Sequence, residues 1–196
     1  MRIIIACPDA PRIERALRGC PGLTSFPLSL TGWHPVTNTT HHFKRRTYMP
    51  TLYIIRGLPG SGKTTLADNI CDKINETEAE AMKVEADQFF VSSNGHTIIY
   101  NFDRRFLGAA HDEAYGRTLR YLREGKSVAA ANTFSTQREV NRYLRGVERC
   151  GLKVDVQIIK CEGRFSSLHG VPRRAIEKIR SRWENIEGEV TFNGEM

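Results

Sequence analysis

No run of apolar side chains in these 196 residues approaches the roughly 18 needed to cross a bilayer as a helix. The opening MRIIIAC carries a charge at its second position and too short an apolar patch for a secretory leader, so a soluble, cytoplasmic chain is expected. Cysteine is sparse and odd in number. Cys7, Cys20, Cys71, Cys150 and Cys161 contain no CxxC pair, and no His/Cys cluster has zinc spacing. A disulfide framework and a structural zinc are therefore excluded as organising features, and reduced thiols are expected. Internal repeats are also lacking, which removes solenoids and propellers.

An excess of acid is lacking too. The formal charge is +7, and it is unevenly placed. Residues 1–48 hold seven Lys/Arg against two Asp/Glu, and residues 138–182 hold twelve against five. A basic C-terminal half behind an acidic middle points to an anionic ligand at one face, and equally describes an ordinary solvated helix surface.

The chain divides near residue 49. Before it runs Pro/Thr/His-rich sequence without a sustained period, so residues 1–48 read as a basic N-terminal extension. Residues 49–196 read as one catalytic domain. Strand-like and helix-like runs alternate there: Leu52 to Ile55, Lys63 to Ile74, Met82 to Ala86, Arg105 to Arg123, Ser127 to Ala131, Thr136 to Arg149, Val154 to Ile159 and Pro172 to Trp183. Leu66, Ile70 and Ile74 form one helical stripe, and Leu107, Ala110, Ala114, Tyr115, Leu119 and Leu122 an inward face of another. Gln88 to Asn101, with its Ser-Asn-Gly signal, reads as a hairpin or loop. The expected fold is α/β, a parallel sheet with helices on both faces.

Gly57-Leu58-Pro59-Gly60-Ser61-Gly62-Lys63-Thr64 satisfies GxxxxGK[ST] between an apolar strand and an amphipathic helix. Glycines let such a loop wrap so that backbone N–H groups converge on phosphate oxygens, and the helix adds its positive end. Gly57, Pro59, Gly60, Ser61, Gly62, Lys63, Thr64 and Thr65 are thus the expected nucleotide cradle of a P-loop NTPase fold. Lys63 is expected at the β/γ-phosphates of ATP and the Thr64 hydroxyl on Mg²⁺.

Ligands of parallel α/β sheets bind beyond the C-terminal ends of the strands. Asp87 closes the second predicted strand and Asn132-Thr133 the third, so both stand on the cradle's rim. Asp87 reads as a general base or a metal-orienting carboxylate, or else as a cap of the following segment. Ala131 stands where many P-loop proteins carry an acid toward the metal, which makes Asp87 the first choice for that role. Of the basic residues after the fourth strand, Arg164, Arg173 and Arg174 read as arginines folding over a transferring phosphate. Lys178, Arg180 and Arg182 read as surface. His111 reads as packed at the sheet edge or as a substrate contact, His169 as a loop residue beside those arginines, and Asp103 as a helix cap.

The segments RGLPGSGKTTLA, EADQFF, YNFD, AAH, ANTF and LHGVP, in this order, resemble the compact P-loop kinases related to polynucleotide kinase, including the kinase-like domain of the Nedd4-binding protein 2 type and stand-alone phage and bacterial versions. The resemblance covers about residues 51–184. It implies a 5′-hydroxyl kinase fold, with Asp87 as base and an arginine-bearing lid between Arg164 and Arg174. The expected activity is transfer of the γ-phosphate of ATP to a hydroxyl, the 5′-OH of a nucleic acid end before that of a nucleoside, sugar or other metabolite. An ATP-binding regulatory module without turnover is the reading from another class. Phe89, Phe90, Tyr100, Phe102 and Phe134 are available to stack on bases.

Overall fold

A computed structural model describes residues 49–93, 98–163, 165 and 171–194. The basic extension 1–48 lies outside them. Strand β1 (Thr51–Gly57) is the middle of a five-stranded sheet in the order β2-β5-β1-β6-β7, and every pairing in it is parallel. Its other members are β2 (Ala81–Val84), β5 (Ser127–Ala131), β6 (Asp155–Cys161) and β7 (Val190–Phe192). The short strands β3 (Val91–Ser93) and β4 (Ile98–Tyr100) form a separate antiparallel hairpin.

Period-two alternation divides the core into two layers. Leu52, Ile54, Val84, Val128 and Ala130 face one side, where they meet Ala110, Ala114, Leu119 and Leu122 of α2 (Leu107–Arg123) and Val140, Tyr143 and Val147 of α3 (Gln137–Arg149). Ile55, Ala81, Ala129, Ala131 and Cys161 face the other, where Ala67 and Cys71 of α1 (Lys63–Asn75) cover them. This is the doubly covered α/β sheet that the alternating pattern required. Thr136 starts α3 with a reciprocal capping box to Glu139, and Asp103 caps the 3₁₀ turn Arg104–Phe106 ahead of α2. Leu107, expected to point inward, is 36% exposed because that 3₁₀ turn comes before the helix proper.

The second strand departs from its expected bounds. It stops at Val84, and Asp87 lies within a 3₁₀ turn, Ala86–Phe90, instead of at a strand end. The reason is local. The Ala86 N–H, which would continue the ladder to β5, donates instead to Asn132 Oδ1 at 2.8 Å. Glu85 caps the turn, and its own N–H donates to Gln88 Oε1. The insert after the turn is the β3–β4 hairpin. Strand β7 was not expected from the sequence; its three residues pair alongside the end of β6.

Arg56, in the central strand, is wholly buried. Its Nε donates to Phe134 O at 2.9 Å, Nη2 to Glu184 O at 2.7 Å and Nη1 to Glu189 Oε2 at 2.6 Å, while the guanidinium lies 4.3 Å from the Trp183 ring centroid. A buried guanidinium requires such a full set of acceptors. Here it fastens the segment after α4 (Arg173–Ser181) to the sheet.

Candidate active site

The loop after β1 turns into α1 through two left-handed glycines, Gly60 at φ 78° and Gly62 at φ 87°. A Cβ at Gly57 would collide with Ser61 Oγ and come within 2.8 Å of Cys161 O, so the loop closes only on a bare backbone. Ser61 is buried, and its Oγ has no hydrogen-bond partner among the described residues. Lys63 Nζ donates to Leu58 O at 2.8 Å, folding back across the loop that contains Pro59. Burial pushes the Lys63 ammonium below the ordinary lysine pKa, with Cys161, Glu85 and Asp87 pulling the other way. The Cys161 thiol beside it is pushed up to about 11 by burial. First-turn N–H groups of α1 have no intrahelical acceptor, and Thr65 stands exposed on that turn.

Thr64 Oγ1 donates to Glu85 Oε1 at 2.6 Å. Sequence reasoning passed over Glu85 and gave Asp87 the place opposite Thr64. Glu85 Oε2 lies 3.6 Å from Lys83 Nζ, and Arg117 of α2 donates through Nη2 to the Glu85 carbonyl at 3.0 Å. Asp87 follows two residues later, exposed on the 3₁₀ turn. Its charge is felt at Lys63, Tyr100 and His111, so the turn brings it into one electrostatic neighbourhood with the cradle. His111 is half-buried at the start of α2. Burial lowers its pKa below the ordinary histidine value, with Glu139 and Asp87 opposing.

Asn132 and Thr133 hold this rim together. Asn132 Oδ1 takes the Ala86 N–H, and its buried Nδ2 has no partner among the described residues. The Thr133 carbonyl accepts the Gly57 N–H at 3.2 Å. Phe134 follows at φ 42°, a strained value for a residue with a side chain. Arg56 Nε holds its carbonyl.

The segment after β6 touches the cradle. The Phe165 N–H donates to Gly60 O at 2.8 Å, and its ring lies against Gly62 and Gly163. Arg164 and His169 lie outside the described residues. Arg173 and Arg174 sit on the exposed first turn of α4, with Arg173 Nε on Glu177 Oε1 at 3.0 Å. No hydrogen bond or ion pair joins either to a cradle residue among the described residues. Beside Asp87, Phe89, Tyr100, Phe102 and Phe106 are 36–50% exposed around the buried Phe90, and Tyr100 and Phe102 lie nearly parallel at 6.5 Å. Phe134, by contrast, is core. Among the described residues no helix is long and apolar enough to cross a membrane, and no group of three or more His, Cys, Asp or Glu is placed to hold a metal.

A family model described as an AAA domain, AAA_33, matches residues 52–165, more than half the chain, including the cradle, Glu85, Asp87 and His111. The chain belongs to this family. It is a P-loop kinase-like nucleotide-binding domain. Among solved structures, Kti12 of Chaetomium thermophilum in complex with ADP-AlF3 is 19% identical at a TM-score of 0.51, covering 72% of this chain and 87% of that one. APE1195 is 20% identical at 0.50, covering 74% and 86%. The APS kinase CysC of Mycobacterium tuberculosis, in complex with AMPPNP and APS, is 15% identical at 0.47, covering 66% and 68%. At these identities the likeness of Kti12 and APE1195 to this AAA_33 domain is one of fold.

Proposed function

We propose that residues 49–196 form an ATP-dependent phosphotransferase that moves the γ-phosphate to a hydroxyl, the 5′-OH of a nucleic acid end, with residues 1–48 as an extension to it. One observation carries the reading: a single short turn after β2 supplies Glu85 to the Thr64 hydroxyl and, two residues on, an exposed Asp87.

In this reading Lys63 exchanges the Leu58 carbonyl for the β- and γ-phosphate oxygens, and the cradle N–H groups close around them. The unpartnered Ser61 Oγ and the collision at Gly57 suit a loop shaped for phosphate oxygens rather than side chains. The donors near Thr64 are hard oxygens and too few for an all-protein cage. That suits Mg²⁺, which keeps phosphate and water ligands. Thr64 and Glu85 would hold it; when bound it would offset charge on the phosphates. Asp87 takes the proton as the acceptor oxygen bonds to the γ-phosphorus and the bond to the β-phosphate oxygen breaks. Arg164, Arg173 and Arg174 supply the lid charge of this reading. In this reading His111, Asn132, Thr133 and His169 are the residues assigned to the acceptor. The exposed aromatics beside Asp87 favour a nucleobase-bearing acceptor.

A second reading, a small-molecule kinase, rests on a hollow of about 280 Å³ lined by Phe89, Asn101, Asp103 and Phe106, near the size of a metabolite site. The test is transfer from γ-labelled ATP to 5′-OH DNA and RNA oligonucleotides and to a panel of nucleosides and sugars. Label on oligonucleotide ends supports the proposal. Label only on a metabolite selects the second reading, and neither label nor ADP makes the chain a binding module.

A further inference from the structure

Helix α3 presents Arg138, Arg142, Arg145 and Arg149 at steps of four, three and four, which places them on one helical face. Val140, Tyr143 and Val147 turn inward on the opposite face. All four arginines are exposed, and with Arg182 just past α4 they line a groove of about 920 Å³ that begins at Thr136. Every cation in its wall is arginine, the side chain whose planar fork matches a phosphate.

Five arginines face two acids in this groove, Glu139 and the exposed Glu148. Glu139 is engaged in the cap of α3, accepting from Ser135 Oγ and the Thr136 N–H. Arg142 bonds Asp112 at 2.7 Å, and Arg149 donates to Tyr115 Oη at 3.2 Å. Among the described residues the guanidinium groups of Arg138, Arg145 and Arg182 make no hydrogen bond or ion pair. The run from Arg138 to Arg149 is about 16 Å at 1.5 Å per residue, longer than any single phosphate group. The N-terminal end of the groove opens on the rim. Thr136 follows the Asn132–Phe134 loop that bonds Gly57, and His111 feels Glu139 and Arg142 as well as Asp87.

We infer that this arginine groove is the track that holds an extended single nucleic acid strand by its phosphates, with the strand's 5′ end delivered to Asp87. The inference rests on the nucleic acid reading above. A strand held this way is gripped without regard to base sequence, and its affinity falls with salt.

The test compares wild type with Arg138→Ser/Arg145→Ser/Arg182→Ser, three exposed changes whose melting temperature is checked first, and with Lys178→Ser/Arg180→Ser, which lowers charge outside the groove. Binding of a fluorescent single strand of about 12 nucleotides is followed by anisotropy over a range of salt. The groove variant is expected to bind at least about tenfold more weakly and to lower the log–log salt slope by about 2, near 0.7 per lost contact. Its KM for the long strand should rise with kcat unchanged, and transfer to a 5′-OH dinucleotide, which reaches only the rim, should hold. Unchanged affinity and slope, or an equal loss in the Lys178/Arg180 variant, overturns the inference. The two proposals fail separately. If wild type labels no nucleic acid end but binding still follows the groove arginines, the reaction falls and the track stands. Labelled ends with groove-independent binding give the reverse.

Discussion

The hydroxyl of Thr64 and the carboxylate of Glu85 meet at 2.6 Å, joining the first turn of α1 to the end of β2. Ala131, at the end of β5, has no acidic side chain, and in the neighbouring strand β2 it is the residue just past the end, Glu85, that reaches Thr64. The two acids of the turn thereby divide: Glu85 bonds Thr64 of the cradle, and Asp87 is exposed on the turn.

Glu85→Gln tests that division. Glutamine still accepts from Thr64 but loses the charge, so the Mg²⁺ concentration for half-maximal rate should rise about tenfold or more, as for loss of a metal's orienting partner. Excess Mg²⁺ should restore most of the rate. A metal titration that matches wild type removes Glu85 from the metal site.

Lys63→Ala should lower transfer at least about a hundredfold, the scale of losing one preorganised charge-stabilising donor, without lowering the melting temperature. Among the described residues the ammonium bonds a loop carbonyl and no core side chain. Because burial lowers its folded pKa, the unfolded chain binds that proton more tightly, and stability should rise as pH climbs from the folded value toward 10.5. Lys63→Met should flatten this rise in urea titrations at several pH values.

How legible this was depends on where each residue's partners lie. The cradle is a local pattern of eight consecutive positions with fixed flanks, so its place and the doubly covered sheet could be read directly. Asp87 was visible as an acid after a strand, but its turn was not, because Val84 ends the strand through a side chain of Asn132 far along the chain. In the run Lys83-Val84-Glu85-Ala86-Asp87 both acids look alike, and only the packing of α1 against β2 distinguishes them. Two acids at i, i+2 after a strand facing GxxxxGK[ST] were the available signal for Glu85. Arg56 gave none: its partners are 78 to 133 residues away. Strand β7 is too short to carry a period.

Arg56→Ala should be among the most destabilising single changes in the domain. It leaves Glu189, only 10% exposed, without its partner, and frees the Phe134 carbonyl that sits at a strained φ. Breaking a buried pair from one side costs about 3–5 kcal/mol. Urea unfolding followed by fluorescence measures it, and a loss under about 1 kcal/mol would show that the clamp is not needed.

In the proposed reaction Asp87 accepts the proton of the acceptor hydroxyl while the cradle holds ATP independently of it. The direct measurement is single-turnover transfer from γ-labelled ATP to a 5′-OH oligonucleotide by Asp87→Asn and wild type, with ATP affinity and melting temperature taken on the same preparations. Asp87→Asn is expected to lower the rate by about 10²- to 10⁴-fold, the usual contribution of general-base catalysis, with ATP affinity and melting temperature close to wild type and no rescue by added Mg²⁺. A near-normal rate per folded molecule would contradict it.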